Sequence, residues 1–382
     1  MPERADVVVV GAGIAGVSAA YHLAASGVDV LVLERDAVGR GATAAAVGVL
    51  SPPLRQPFHE TVHHRGEETA RTIWAFAQNS IRSVAEALRD LGAEEEAGLD
   101  LSGGTILAES HSDHQVRRSF DALAESGFAV TWLTGEDVRA RCGGRGFTGG
   151  YRLDGGGSLS PGPTALALMR GARAAGAGLR EGVAVRAVEP GHGGLVCDTS
   201  RGPVRCEMVV YATHVDSRRF SNLLGDEIVP IRGQAMAVEA PEGFECPGSF
   251  ATHWKLNVWR RAPSGELWLG GWRHDAWDRA YWKTRPEVDS YLQEDVQGWF
   301  EAAFPGAAPL RVERRWSGIF GWTADYLPLV GPLPGTPREL VVSGFSGGGL
   351  PFAFGCGRII AHAVTGKDPL EGTALFNPRR FL

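Results

Sequence analysis

The stretch 6-DVVVVGAGIAGVSAAYHLAASGVDVLVLER-35 decides how the rest of the chain is read. It holds 22 consecutive residues without a formal charge, 7–28, a run long enough to cross a bilayer. Its internal order points elsewhere. The four valines at 7–10 form a β-branched run of the kind that makes a parallel strand buried on both faces. Gly11, Gly13 and Gly16 follow in G-x-G-x-x-G spacing, and 14–25 reads as a helix with small residues toward a sheet. Gly27 closes that helix, and 28–33 is a second strand ending at Glu34. A spanning helix would not begin with four valines and three glycines.

Each part has a task. Gly11 permits the tight turn, Gly13 lets the backbone approach a pyrophosphate, and Gly16 lets helix and strand touch. The helix start at Ile14 and Ala15 supplies N–H groups and a partial positive charge for phosphates. Glu34 can accept hydrogen bonds from both ribose hydroxyls, and its charge disfavours a 2′-phosphate. Strand, glycines, helix, strand and acidic residue arrive in the order a dinucleotide site requires. This fingerprint alone does not separate NAD from FAD.

The 382 residues suggest two domains, interleaved in sequence. A net charge of −6 without a basic block makes nucleic acid a poor partner. The nucleotide pattern starts almost at Met1, so no targeting peptide or membrane anchor is expected. Cys142, Cys197, Cys206, Cys246 and Cys356 show no C-x-x-C spacing, which indicates neither zinc nor disulfides and suits a reducing cytoplasmic setting. His63 and His64 read as surface or capping residues, since a metal pair lacks further ligands. No metal is expected.

Further along, periodicity predicts helices at 67–91, 113–126 and 163–175, with strands at 103–108 and 183–188. A meander leads to 207-EMVVYATH-214. From Ile228 the segments 228-IVPIRGQAMAVEA-240, 252-THWKLNVWRRAPSGELWLGGW-272 and 311-RVERRWSGIFGW-322 read as long antiparallel strands around a helix at 285–303. Nine of the eleven tryptophans follow residue 250, which makes this half the place to look for an aromatic pocket. The segment 337-PRELVVSGFSGGGLPFAFGCGRIIAHAVTG-366 returns to strand, glycine turn and helix, as if folding back on the nucleotide unit.

These stretches, with 39-GRGATAAAVGVLSP-52 and 315-RWSGIFGWTADYLPLVGPLP-334, resemble the glycine oxidase/sarcosine oxidase/D-amino-acid oxidase family of FAD-dependent oxidoreductases in family order across nearly the whole chain. The resemblance implies an α/β, Rossmann-like FAD-binding domain interleaved with an antiparallel β-rich (α+β) substrate domain. The expected segments are 1–90, 145–228 and 310–382 for FAD and 91–144 and 229–309 for substrate. It implies that Gly11, Gly13, Ile14, Ala15, Gly16 and Glu34 hold the ADP part, and that Arg35, Arg40, Gly41, Ala42, Thr43, Ala44, Ala46, Val47 and Gly48 line pyrophosphate and flavin. Val185 would meet adenine, and Ala212 and Thr213 the ribityl chain. Gly318, Gly344, Gly347, Gly348, Gly349 and Leu350 would surround the flavin, with amides near its pyrimidine ring, where reduction places negative charge. The sarcosine oxidase branch attaches flavin through a cysteine near 316–322. No cysteine lies between Arg311 and Gly331, so FAD is expected to be noncovalent.

The departures bear on substrate. The arginine that the family's amino-acid oxidases place after W-x-G is Phe320 here, and the basic residue of the C-terminal glycine turn is replaced by Gly347, Gly348 and Pro351. The tyrosine clamp falls in 257–259, where no tyrosine stands. Burying a free carboxylate without such partners costs several kcal/mol. The expected pocket is aromatic: Trp254, Trp259, Trp272, Phe320 and Trp322 with Pro351, Trp268 lying on the same segments. His253 and Lys255 share a strand face, the lysine offering positive charge during oxygen reduction. Arg55 stands where the sarcosine oxidase branch binds carboxylate. Asp325 reads as a loop-ordering residue. The resulting expectation is hydride transfer from a C–N bond of a bulky or aromatic amine to flavin, with oxygen as acceptor. A dehydrogenase using another carrier, a tailoring oxidase acting on a C–C or C–O bond of a large metabolite, and a non-catalytic flavin-binding protein remain open.

Overall fold

The computed structural model describes residues 3–52, 56–252, 257–271 and 276–382. Strand Glu3–Val10 lies inside the first sheet, in parallel register with Val30–Leu33 on one side and Val204–Tyr211 on the other. Val8 and Val9 are wholly buried, so the valine run does meet a core on both faces. The sheet continues to Gly178–Arg180 at one end, and through Thr336–Ser343 to Leu329–Leu333 at the other, while Val185–Gly191 and Gly194–Thr199 branch from Val204–Tyr211. Helix Ile14–Ala25 packs beneath it because Gly16 has no side chain; a Cβ there would overlap the carbonyl oxygen of Gly11. Helix Gly349–Thr365 crosses it just as closely: a Cβ on Gly357 would stand 2.5 Å from the Ser18 carbonyl carbon. The two glycine-hinged units from opposite ends of the chain thus share one core.

The second sheet also has eight strands, in the order Val312–Trp322, Val229–Val238, Leu267–Gly271, Val258–Arg261, Ser249–Thr252, Gly104–Glu109, Phe147–Leu153 and Val130–Thr134. Its pairs are antiparallel except for Ser249–Thr252 with Gly104–Glu109. The expected segment boundaries put Phe147–Leu153 and Val312–Trp322 with the nucleotide-binding segments, yet both hydrogen-bond into this second sheet. Their alternation marks them as strands but carries no record of which partner they pair with.

Helix Glu67–Asp90 buries Ile73, Trp74, Ala77, Ile81, Val84 and Leu88, the face its periodicity predicts. The helix expected from 285 starts instead at Ser290, N-capped by the Asp289 carboxylate, which accepts from the Leu292 N–H at 3.2 Å. Pro286 holds the preceding residue out of helical geometry, and the cap takes over three residues later. No helix among the described residues is long and apolar enough to cross a membrane.

Candidate active site

A cavity of about 550 Å³ opens at the C-terminal ends of strands Glu3–Val10 and Val30–Leu33 and runs under the inner face of the second sheet. At its first end the Glu34 carboxylate accepts from the Ala12 N–H at 2.7 Å and the Asp36 N–H at 2.8 Å. That grip fixes the glycine turn and leaves the remaining lone pairs of both oxygens for a ligand. Gly11 has φ +101°, and a Cβ there would stand 2.8 Å from the Ala212 oxygen, so only glycine makes this turn. The helix beginning at Ile14 has no acidic residue in its first turn, which keeps its positive end uncompensated. The Ile14 N–H is capped by Thr43 Oγ1 at 2.9 Å. Thr43 therefore ties the second loop to the first helix, with its own hydroxyl proton left to give.

The loop after the second strand supplies Arg40, Gly41, Ala42, Thr43, Ala46, Val47 and Gly48 to the wall. Gly48 is braced from behind by Arg260, whose guanidinium donates to the Val47 and Arg261 carbonyl oxygens and stacks 4.7 Å from the Trp268 ring. Arg260 is fully buried, with no carboxylate in ion-pair range among the described residues, and burial pulls its pKa down to about 10. Carbonyl oxygens and a ring face take the place of a counter-ion. Nothing in its local sequence, 258-VWRRAP-263, marks it out.

At the other end Gly347, Gly348, Gly349, Leu350 and Pro351 form the start of helix Gly349–Thr365, whose N–H groups face the cavity end. Val258, Gly270, Gly318, Ile319, Phe320 and Tyr326 also line the cavity. Trp316 Nε1 donates to the Ala45 oxygen at 3.0 Å, locking the second sheet onto the loop that carries Arg40 to Gly48. The charged residues in the wall are Glu34, Arg35, Asp36, Arg40, Asp216 and Arg219. All come from the first unit, and Arg35 pairs with Asp216 at 3.1 Å. Strands of the second sheet bring no charged residue to the wall among the described residues. Arg232, on one of those strands, is instead committed to Asp289 at 3.4 Å and the Arg279 oxygen at 2.9 Å.

Most residues expected at the cofactor meet in this one cavity, including Gly13, Ala15, Val185, Ala212 and Thr213. Gly16, Ala44 and Gly344 do not line it. Gly16 serves helix–strand contact, and Gly344, with φ +69°, turns against Thr323 and Leu329. Phe320 and Pro351 are in the wall, but the pocket assignment of two tryptophans needs correction. Trp259 is completely buried, stacked on Phe250 at 5.4 Å and ringed by Trp299, Phe300 and Phe304. Trp322 sits behind the wall against Tyr281 and Tyr326. Strand alternation turned these rings to core faces, and a sequence without known neighbours does not say which face is which. Trp268 is occupied by Arg260, Arg314 and Trp316. Arg55, His253, Trp254, Lys255 and Trp272 lie outside the described residues. Asp325 orders its loop as expected: Arg380 clasps its carboxylate at 2.7 and 3.1 Å, and one of its oxygens accepts from the Leu327 N–H. His63 and His64 are exposed in the last turn of helix Phe58–Arg65.

The residues present fit a flavin dinucleotide: one carboxylate beside a glycine turn, an uncompensated helix start, and glycine cradles at both ends of an elongated cavity. Comparison with known proteins agrees. Residues 6–363 match the family described as DAO, FAD dependent oxidoreductase. A glycine oxidase of Bacillus licheniformis is 26% identical over 378 residues, spanning 96% of this chain and 95% of that protein. A probable oxidoreductase, OrdL, of Rhizobium meliloti is 25% identical over 378 residues, spanning 96% of this chain and 84% of that protein. The crystal structure of glycine oxidase from Geobacillus kaustophilus superposes with a TM-score of 0.85 over all of both chains, at 23% identity. Sequence, cavity and comparisons converge: the chain is an enzyme and belongs to the DAO family of FAD-dependent oxidoreductases.

Proposed function

We propose that this enzyme oxidises a carbon–nitrogen single bond of a bulky or aromatic amine or amino-acid-derived substrate, with oxygen as acceptor and FAD held without a covalent bond. The observation that carries the substrate class is the uncharged wall that the second sheet presents, with Phe320, Ile319 and Val258 lining the same cavity as Pro351 of the glycine turn. A free carboxylate there would be desolvated without a cation among the described residues, so a neutral amine with apolar substituents is the better fit. Bound FAD supplies a hydride acceptor.

Glu34 and the helix starting at Ile14 would hold the adenosine and pyrophosphate end. Amides of Gly347, Gly349 and Leu350 would face the ring, the Gly348 N–H being held by the Phe345 carbonyl oxygen, and the helix behind them favours negative charge there. The chain's own work is then to orient the amine against that ring and to exclude water; Phe320 and Pro351 do both by bulk. Noncovalent retention is supported by the cysteine positions. Cys356 is wholly buried in the core of the first unit, and burial pushes its thiol pKa up.

The test is anaerobic bleaching of the purified yellow protein by a panel of primary and secondary amines, followed by air. Bleaching by bulky amines, peroxide on reoxidation, and release of all flavin by acid precipitation are expected. Bleaching by glycine in preference to bulky amines would overturn the substrate class. Reoxidation only by a quinone or a protein carrier would make the enzyme a dehydrogenase, and bleaching by no amine would redirect attention to a C–C or C–O bond.

A further inference from the structure

His214, like Tyr326 and Ser346 in the same cavity wall, carries a side chain on a backbone of positive φ. Among the described residues only four non-glycine positions have positive φ, and His214 is one, at +53°. A residue with a side chain is uncommon in this region; it persists where its surroundings over-determine it, and such positions gather at functional sites. Three contacts hold this one. Its carbonyl oxygen accepts from Ser343 Oγ at 2.7 Å. Its Nδ1 accepts from the Val215 N–H at 2.7 Å. Its ring lies over Gly321, where a Cβ would come within 3.5 Å of Nδ1 and Cε1.

Because Nδ1 accepts, the ring proton of the neutral imidazole resides on Nε2. Burial pulls the pKa down to about 4, against a smaller upward pull from Asp216, so the ring stays neutral above that range. No protein acceptor meets Nε2 among the described residues, and the residue borders the cavity. Its place along the cavity is also fixed. Asp216, two residues on, pairs with Arg35 beside Glu34, while Gly321 under the ring is next to Phe320.

We propose that His214 is a cofactor-positioning residue whose Nε2–H donates a hydrogen bond to bound FAD, between the adenosine end at Glu34 and the ring end at Phe320. The proposal rests on the FAD reading above. The middle of FAD offers acceptor oxygens on its ribityl chain and phosphates. A neutral donor there grips the cofactor without adding charge to the site.

The test uses the FAD-loaded protein and two variants. His214→Gly removes the donor and relieves the backbone, since glycine adopts this φ freely. His214→Asn keeps an N–H donor and tolerates the left-handed region. FAD release is followed by flavin fluorescence after dilution, and thermal unfolding is measured in excess FAD. We expect release from His214→Gly to be about tenfold faster, the worth of one neutral hydrogen bond, with an unfolding temperature equal to or above that of the parent. His214→Asn should recover most of the retention. Release from His214→Gly within twofold of the parent would overturn the proposal, as would an unfolding temperature that falls in step with retention in both variants. A parent protein that never carries FAD would overturn the cofactor reading itself, a separate and distinguishable failure.

Discussion

Residues Val7–Val10 and the ring pair of Phe250 with Trp259 solve comparable packing problems with opposite materials. In the first sheet the central strands are β-branched and the helices under them carry glycine at their closest contacts, so that backbone meets backbone at Gly11, Gly16 and Gly357. In the second, Trp259 stacks on its cross-strand partner Phe250, and a cage of aromatic rings fills the space. The cavity inherits both characters. Its nucleotide end is shaped by main-chain conformation, one carboxylate and helix starts; its far wall is shaped by side-chain bulk, while an interior cation of that sheet, Arg260, holds the Val47 carbonyl of the first unit's loop. A site written in backbone tolerates almost no added atom, whereas one written in side chains can change its ligand by a single exchange.

That contrast can be broken by experiment. The largest expected effect is Trp259→Ala, which empties the aromatic cage and should cost about 4 kcal/mol in urea unfolding; a cost near zero would mean the second sheet does not depend on that ring. Gly16→Ala adds one methyl group where the Gly11 carbonyl stands and should cost about 3 kcal/mol, with loss of retained flavin. If alanine there is accepted with flavin in place, the first unit is more yielding than its backbone contacts indicate.

Acid should distinguish the units through His22. Its ring meets the Phe354 oxygen at 3.2 Å, and burial, helped by Arg358, lowers its pKa from 6.5 to about 4. Between those values the unfolded chain binds a proton that the folded chain does not, so stability falls as pH drops from about 6.5 toward 4. Allowing for partial exposure of the ring, the loss is about 2 kcal/mol. Unfolding measured at pH 7 and pH 4.5 should show a smaller difference in His22→Gln than in the parent; equal differences would remove His22 as the cause. The smallest effect on stability is expected from Phe320→Ala, about 1 kcal/mol, because that ring borders open space. Its signature is selectivity: kcat/KM for a bulky amine should fall about tenfold relative to a small one. An unchanged ratio would take Phe320 out of substrate recognition.

The same contrast explains what the sequence made legible. The nucleotide end could be read because every instruction is local: glycines that fix a turn, a carboxylate at a strand end, and a second glycine turn before Gly349. The second sheet could be recognised as strands, but not in its pairing or in which face of Trp259 or Trp322 meets the core, since both depend on partners distant in sequence. Arg260 and His214 were invisible for related reasons. One is significant only because a loop some two hundred residues earlier lies over it, the other because of a dihedral angle that no residue pattern announces.

The interlock of helix Ile14–Ala25 with helix Gly349–Thr365 also bears on biosynthesis. While the chain is being translated, the glycine fingerprint emerges early and must wait, with one face of its helix bare, for a partner made far later. Parallel pairing with Val204–Tyr211 and then Thr336–Ser343 extends that delay. Chaperone demand and cofactor capture should therefore both come late in the protein's history, and premature termination anywhere before that helix should yield chains that are colourless and prone to aggregate.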